Sequence, residues 1–337
     1  MAILLMTALR RAGHKVELAS ELRAFLPDDR DARAFSDLQS AAAAERERLS
    51  RLWRDGAPPD AWFCYHPYYK SPDLIGPPLA REFGLPWISA EASLSGRRDR
   101  GVWAECQAAV TESVDRAAVN FAMTARDRDG LRARVPAARI CALPPFLDLD
   151  DWPRRSLPKG GRIVTVAMMR RGDKMESYRA MAAALQMLPP AIDWKLGIAG
   201  DGPMRKEVEA LFPQDRVEWF GQVPSDKLPE FLAAGSVYFW PGCGEAYGLA
   251  YLEAQAIGLP VVAWSAAGVP EVVADGETGL LAPEGDIAAL ADNLARLLGD
   301  DDFRVRMGAT ARARVAERHG IATAADILDR EFRAAIG

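Results

Sequence analysis

The chain has 337 residues, 49% of them hydrophobic and 26% charged, the balance of a folded protein long enough for two domains. No run approaches the ~18 apolar residues of a membrane-spanning helix. A net charge of −5, from 42 basic and 47 acidic side chains, argues against a dedicated nucleic-acid binder, whose affinity comes from neutralising phosphates.

The opening Met1–Leu9 is apolar but has no basic region before it and no small-residue cleavage site after it, so no secretory signal is expected. Strands are expected near 15–19, 61–65, 86–90 and 118–123, with helical stretches between them and a long helix over about 32–54. The alanine tract Ala41–Ala44 reads as the interior of that helix. Between 143 and 161, four prolines and two glycines cannot continue a helix or a central strand, so the domain boundary belongs there. Strands follow near 162–168, 194–199, 216–220, 236–240 and 260–263. The last fifty residues read as helices, with Ile287, Leu290, Leu294 and Leu297 on one stripe and Ile327, Leu328, Phe332 and Ile336 on another. Such alternation predicts an α/β fold of two doubly wound parallel-sheet domains facing each other, 1–150 and 151–318. Three histidines and four scattered cysteines without C-x-x-C give neither a zinc motif nor a disulfide framework; reduced cytoplasmic thiols are expected.

The informative stretch is 241–263, Pro-Gly-Cys-Gly-Glu-Ala-Tyr-Gly-Leu-Ala-Tyr-Leu-Glu-Ala-Gln-Ala-Ile-Gly-Leu-Pro-Val-Val-Ala. It follows the apolar run Val237–Trp240, opens into a glycine-rich turn and continues into a helix ending near Gly258. A strand, glycine turn and helix in that order set free N–H groups and the positive end of a helix dipole at the sheet edge, a place for a phosphate or diphosphate. Gly248 lets the backbone approach such an anion. Glu245 precedes the helix and Glu253 lies inside it, eight steps or ~12 Å apart at ~1.5 Å per residue. Ionised carboxylates only accept hydrogen bonds and so suit the hydroxyls of a sugar and a ribose. A loop cap or an arginine partner is the structural alternative for Glu253.

Glu245-Ala-Tyr-Gly-Leu-Ala-Tyr-Leu-Glu253-Ala-x-Ala-x-Gly-x-Pro-Val-Val resembles the E-x7-E motif of retaining, nucleotide-sugar-dependent glycosyltransferases of family 4, which have the GT-B fold. Gly268-Val-Pro-Glu-Val-Val and Asp275-Gly-Glu-Thr-Gly-Leu-Leu resemble the same family's tail, and Ala199-Gly-Asp-Gly-Pro203 its glycine turn. The resemblance implies donor-sugar contacts by Glu245, backbone contacts by Gly200, Tyr247, Gly248 and Leu249 to diphosphate and sugar, and ribose binding by Glu253. It also implies an Arg and a Lys that neutralise the leaving diphosphate. Lys174 fits the second position; Met168 or Met169 stands at the usual Arg position, leaving Arg170 or Arg171, of which Arg171 is the favoured choice. A helix over 319–337 packing back toward the first domain is expected on the same basis.

Resemblance over 1–150 is weaker. Tyr65-His66-Pro-Tyr68-Tyr69-Lys70 follows a strand where the cleft should open, making His66 a candidate catalytic group, and Glu91 stands where many relatives carry a histidine. Gly96-Arg-Arg-Asp-Arg100 reads either as a solvated loop or as a contact for an anionic acceptor or membrane headgroups. The relatives' opening strand and glycine-rich loop have no counterpart before Met1, so a missing first strand is expected. The reading is a metal-independent retaining glycosyltransferase without a cofactor, cytoplasmic or peripheral at the inner membrane face. Its donor would be a nucleoside-diphosphate sugar and its acceptor an unidentified glycan, lipid-linked or small molecule. The alternatives are a non-catalytic GT-B sugar-nucleotide-binding module or partner subunit, then a nucleotide-sugar epimerase. A nicotinamide dehydrogenase finds no support, since no strand leads into G-x-G-x-x-G.

Overall fold

The computed structural model describes residues 1–150, 152–153 and 160–337. Residues 151 and 154–159, within the proline-rich segment expected to join the domains, lie outside the described residues. The chain divides into two compact units, Met1–Pro144 with Ala324–Gly337, and Pro145–Thr323.

The first unit is built on a parallel sheet of β1 (Trp62–Tyr65), β2 (Trp87–Ala90), β3 (Val119–Ala122) and β4 (Ile140–Ala142), ordered as in the chain. Every residue of β2 and β3 is buried, as a parallel sheet covered on both faces requires. The helix Ala32–Asp55 starts at Asp31, whose carboxylate accepts from the Ala34 amide at 2.8 Å, and it buries Phe35, Leu38, Leu49 and Trp53. Asp73 accepts from Trp62 Nε1 and Trp87 Nε1, both at 2.9 Å, so one carboxylate ties the starts of β1 and β2 together. The C-terminal helix Ile321–Ile336 presses Phe332 onto Phe63 and Phe121, with ring centroids 5.5 and 6.4 Å away, and Glu331 pairs with Arg139 at 2.8 Å.

Residues 15–19 form no strand, contrary to their alternating pattern. Alternation marks an extended, half-buried segment, but a strand also needs a ladder partner, and among the described residues β1 pairs only with β2. His14, just before that segment, sits instead against the C-terminal helix, 2.9 Å from Asp329 and with its ring 5.6 Å from Phe332. β4 was not anticipated either. Three residues between turns carry too little periodicity to be read.

The second unit holds six parallel strands, β5 (Arg162–Val166), β6 (Lys195–Ala199), β7 (Val217–Gly221), β8 (Val237–Phe239), β9 (Val261–Trp264) and β10 (Gly279–Ala282), in the order β10-β9-β8-β5-β6-β7. The chain runs outward from β5 to β7 and then returns to place β8 on the other side of β5. That reversal makes β5 and β8 the switch point of the sheet, where the loops beyond their carboxyl ends diverge and leave room for a ligand. β10 was the other unanticipated strand, a run of four residues that begins on a glycine directly after Asp-Gly-Glu-Thr. All four cysteines are free. No helix among the described residues is long and apolar enough to cross a membrane.

Candidate functional site

The first turn of the helix Asp173–Gln186, which follows β5, supplies Lys174 and the loop after β8 supplies Glu245, so the switch point brings together two side chains 71 positions apart. The Lys174 ammonium forms an ion pair with Glu245 Oε1, and the two side chains are only 14% and 16% exposed. Trp240, which follows β8 directly, donates from Nε1 to the same Glu245 oxygen at 3.0 Å. Its ring lies under Lys174, with Nζ 5.5 Å from the centroid, and meets the Tyr178 ring edge-on at 4.9 Å. A carboxylate that leaves water needs such partners. Trp240 was not among the residues expected here, although its place at the end of an apolar strand immediately before a glycine turn marks it.

Glycines shape the rest of the turn. Gly248 begins the helix Leu249–Ile257 at φ 68 with no side-chain cap, and a Cβ there would lie 2.5 Å from the Tyr251 ring. The first turn of that helix therefore presents its amides to the β8 edge without a competing side chain. Gly268 is held in another way: its amide donates to Glu245 O at 3.0 Å, and a Cβ would fall 1.4 Å from Ala246 O. The loop that carries Glu245 is thus wedged against the loop after β9. Gly200 has φ 151, and a Cβ there would stand 1.9 Å from Ala167 O, so the turn after β6 runs directly against the turn after β5.

Glu253 projects from the second turn of the helix Leu249–Ile257 and makes no hydrogen bond or ion pair among the described residues. Neither the loop cap nor the arginine partner weighed for it is present there. Burial pushes its carboxyl up from 4.5 to about 7. Tyr247 is buried at 9% exposure. Arg170 and Arg171 are exposed in the turn that leads to Gly172 at φ 80 and have no ion pair among the described residues.

His66 and Glu91 belong to the N-terminal unit, at the carboxyl ends of β1 and β2. Both have positive φ, 57 and 55, a conformation that costs a non-glycine residue energy and clusters at functional positions. They touch each other: His66 Nδ1 lies 3.2 Å from Glu91 O, and the His66 amide donates to Ala90 O at 2.7 Å. Glu91 is 8% exposed and His66 is exposed. Tyr68 packs against His66 with ring centroids 4.7 Å apart. Among the described residues no group of three or more His, Cys, Asp or Glu could hold a metal ion.

A doubly wound sheet with a glycine turn, an uncapped helix and charged groups gathered at its switch point defines a class of α/β protein that binds phosphorylated ligands. Residues 151–314 match the family model of glycosyl transferases group 1. Alpha-D-kanosaminyltransferase of Streptomyces kanamyceticus is 30% identical over 249 residues, covering 68% of this chain and 63% of that one. The GDP-mannose-dependent alpha-(1-6)-phosphatidylinositol monomannoside mannosyltransferase of Mycobacterium tuberculosis is 34% identical over 197 residues, 52% of this chain and 51% of its own. The chain thus spans less than two-thirds of the length of either relative.

Sucrose-phosphate synthase from Thermosynechococcus elongatus superposes with a TM-score of 0.71 at 22% identity, over 89% of this chain and 79% of that one. HepE of Anabaena in complex with UDP gives 0.70 at 16% identity, over 86% and 82%. The two parallel sheets are those of the GT-B fold, as the sequence led us to expect.

Proposed function

We propose that the protein is a retaining glycosyltransferase of the family 4, E-x7-E kind, which moves a sugar from a nucleoside-diphosphate sugar to an acceptor hydroxyl. The observation that carries this reading is the Lys174–Glu245–Trp240 cluster beside the bare start of the helix Leu249–Ile257. HepE, which shares the fold, has been crystallised with UDP and with UDP-glucose, which supports a nucleotide-sugar donor.

In this reading the amides of Gly248 and Leu249, with the backbone of Tyr247, hold the diphosphate at the positive end of the helix. Gly200 keeps the neighbouring turn close enough to border the pocket. Glu253 accepts from the ribose hydroxyls, and Glu245 accepts from hydroxyls of the donor sugar. As the bond from the anomeric carbon to the diphosphate oxygen lengthens, negative charge builds on the leaving group. Lys174, with Arg171 or Arg170 from the adjoining turn, offsets that charge, which is why a metal ion is not required. His66 and Glu91 serve the acceptor side: in the N-terminal unit they mark the strand ends at which an accepting hydroxyl would be oriented.

A thermal-shift screen against a panel of nucleoside-diphosphate sugars tests the reading, because a ligand that binds only the folded state raises its melting temperature. A donor that stabilises the parent and is consumed only when an acceptor is present supports transfer, and undiminished turnover with a chelator supports metal independence. Binding with no turnover across an acceptor panel would instead point to a non-catalytic sugar-nucleotide binder. Conversion of the donor without any acceptor would point to epimerisation.

A further inference from the structure

Away from the donor-side cluster, the N-terminal unit gathers cations around one indole. Trp103 is 4% exposed and fixed, its Nε1 donating to Leu26 O at 2.9 Å and its ring packed with Leu26, Phe35 and Leu38. Lys70, from the loop after β1, places Nζ 4.7 Å from the Trp103 centroid. Arg98, from the loop after β2, lies 6.0 Å from the same centroid and 5.9 Å from that of Tyr69. Arg100 also reaches Trp103, at 5.7 Å, but it is held by Asp29 at 2.9 Å. The neighbouring Asp99 is engaged by Arg134 at 2.8 Å. Lys70, Arg97 and Arg98 are therefore left without a carboxylate partner among the described residues.

Two further features favour an anion there. The helix Gly101–Arg116 starts at Arg100 with no side-chain cap and no acidic residue in its first turn, so its positive end adds to the same field. The loop is also braced: Val102 N donates to Asp29 O at 2.9 Å, and a Cβ on Gly101 would lie 2.0 Å from that oxygen. Like charges repel, and Lys70 and Arg98, brought to one indole from two loops of a chain of net charge −5 and without a carboxylate partner among the described residues, are arranged for an anionic visitor.

We infer that Lys70 and Arg98, set on the Tyr69–Trp103 shelf beyond the carboxyl ends of β1 and β2, with Arg97 next to Arg98 in the chain, bind a phosphate group carried by the molecule that receives the sugar. That this phosphate belongs to the acceptor rests on the glycosyltransferase reading; that the shelf binds phosphate does not. Phosphate fits better than a carboxylate because it offers three oxygens and up to two charges to donors that come from two loops and a helix end. The guanidinium fork of Arg98 suits two of those oxygens, while Lys70 acts as a point charge.

Calorimetric titration of inorganic phosphate into three proteins, the parent, Lys70→Ala/Arg98→Ala and Lys174→Ala, separates this shelf from the donor-side cluster. We expect affinity to fall by about tenfold or more in the double variant and to hold in Lys174→Ala. Equal affinity in the parent and the double variant, loss confined to Lys174→Ala, or no binding by the parent in the millimolar range overturns the inference. Unchanged melting temperature and nucleotide-sugar binding in the double variant show that it folds; Lys70→Gln/Arg98→Gln replaces it otherwise. Sedimentation with vesicles of equal parts phosphatidylcholine and phosphatidylglycerol identifies the source. Pelleting lost in the double variant indicates a lipid-borne phosphate, and phosphate binding without pelleting a soluble one. Phosphate binding in a protein that takes no nucleotide sugar would overturn the glycosyltransferase reading alone, and the reverse result would overturn the inference alone.

Discussion

Trp240 Nε1 stands 3.0 Å from Glu245 Oε1, on the same oxygen that pairs with Lys174. One carboxylate oxygen is thus fixed by a neutral donor from its own loop and a cation from the first turn of the helix that follows β5. The other oxygen makes no hydrogen bond among the described residues, so in the proposed function it is the one that accepts from the donor sugar, and Trp240 is a positioning residue.

Trp240→Phe keeps the ring under Lys174 and removes the N–H. A hydrogen bond to a charged group contributes about 1.5–3 kcal/mol, so kcat/KM should fall roughly 10- to 100-fold. The fall should appear mainly in kcat, with the melting temperature little changed. Equal kinetics for parent and variant would show that Glu245 is placed by Lys174 alone.

Lys174→Ala removes the cation from Glu245 and, in the proposed function, from the leaving group. The expected loss in kcat is on the order of a hundredfold, with a smaller effect on donor affinity, because the charge it offsets develops in the transition state. Lys174→Arg should recover part of the rate. If affinity falls and kcat does not, Lys174 is a binding residue only.

Glu253 carries its proton to about pH 7 in the folded protein and to about 4.5 when unfolded. Between those values the folded state holds a proton that the unfolded state has lost, so this group makes the protein less stable as pH rises through the window. Glu253→Gln should flatten that slope and raise stability near pH 8 by at most about 3 kcal/mol. Ribose hydroxyls that donate to the carboxylate favour its ionised form, so donor binding near pH 7 should release a proton. Calorimetry in buffers of different ionisation enthalpy measures that release, and Glu253→Gln should abolish it.

Gly268→Ala puts a methyl group where Ala246 O stands 1.4 Å away, which requires the Glu245 loop to shift. Because φ at Gly268 is −94°, the cost is steric and not torsional. We expect donor affinity to drop by about tenfold or more, since small displacements at a positioned site are costly. Circular dichroism should stay close to that of the parent, and unchanged affinity would show that the two loops move independently.

His319 is 1% exposed and its Nδ1 lies 2.7 Å from Pro145 O; burial holds its pKa below the usual 6.5. The unfolded chain then binds the proton more readily, so the protein should lose stability as pH falls below about 6.5. A melting curve against pH for His319→Gln, less steep than the parent's on the acid side, checks this.

Much of this was legible in the chain alone. Apolar runs such as Val237–Phe239 and Val261–Trp264 announce buried strands because a parallel sheet covered on both faces tolerates no polar alternation. Gly248, Glu245 and Glu253 fall within nine positions, so a single strand, turn and helix sets their spacing and local geometry suffices to read it. The segment 15–19 shows the limit: its alternation was real, yet strand formation depends on a partner that no local pattern supplies.

The tertiary structure decided the rest. Lys174 meets Glu245 only because the sheet order sets β8 beside β5 after two strands have been laid on the other side. Gly268 matters only because another loop arrives at its α-carbon, and Lys70 and Arg98 share one indole only because β1 and β2 end side by side. Sequence periodicity reports what a residue does with neighbours a few positions away, whereas contacts across tens of residues follow from strand order and packing, which no short window contains.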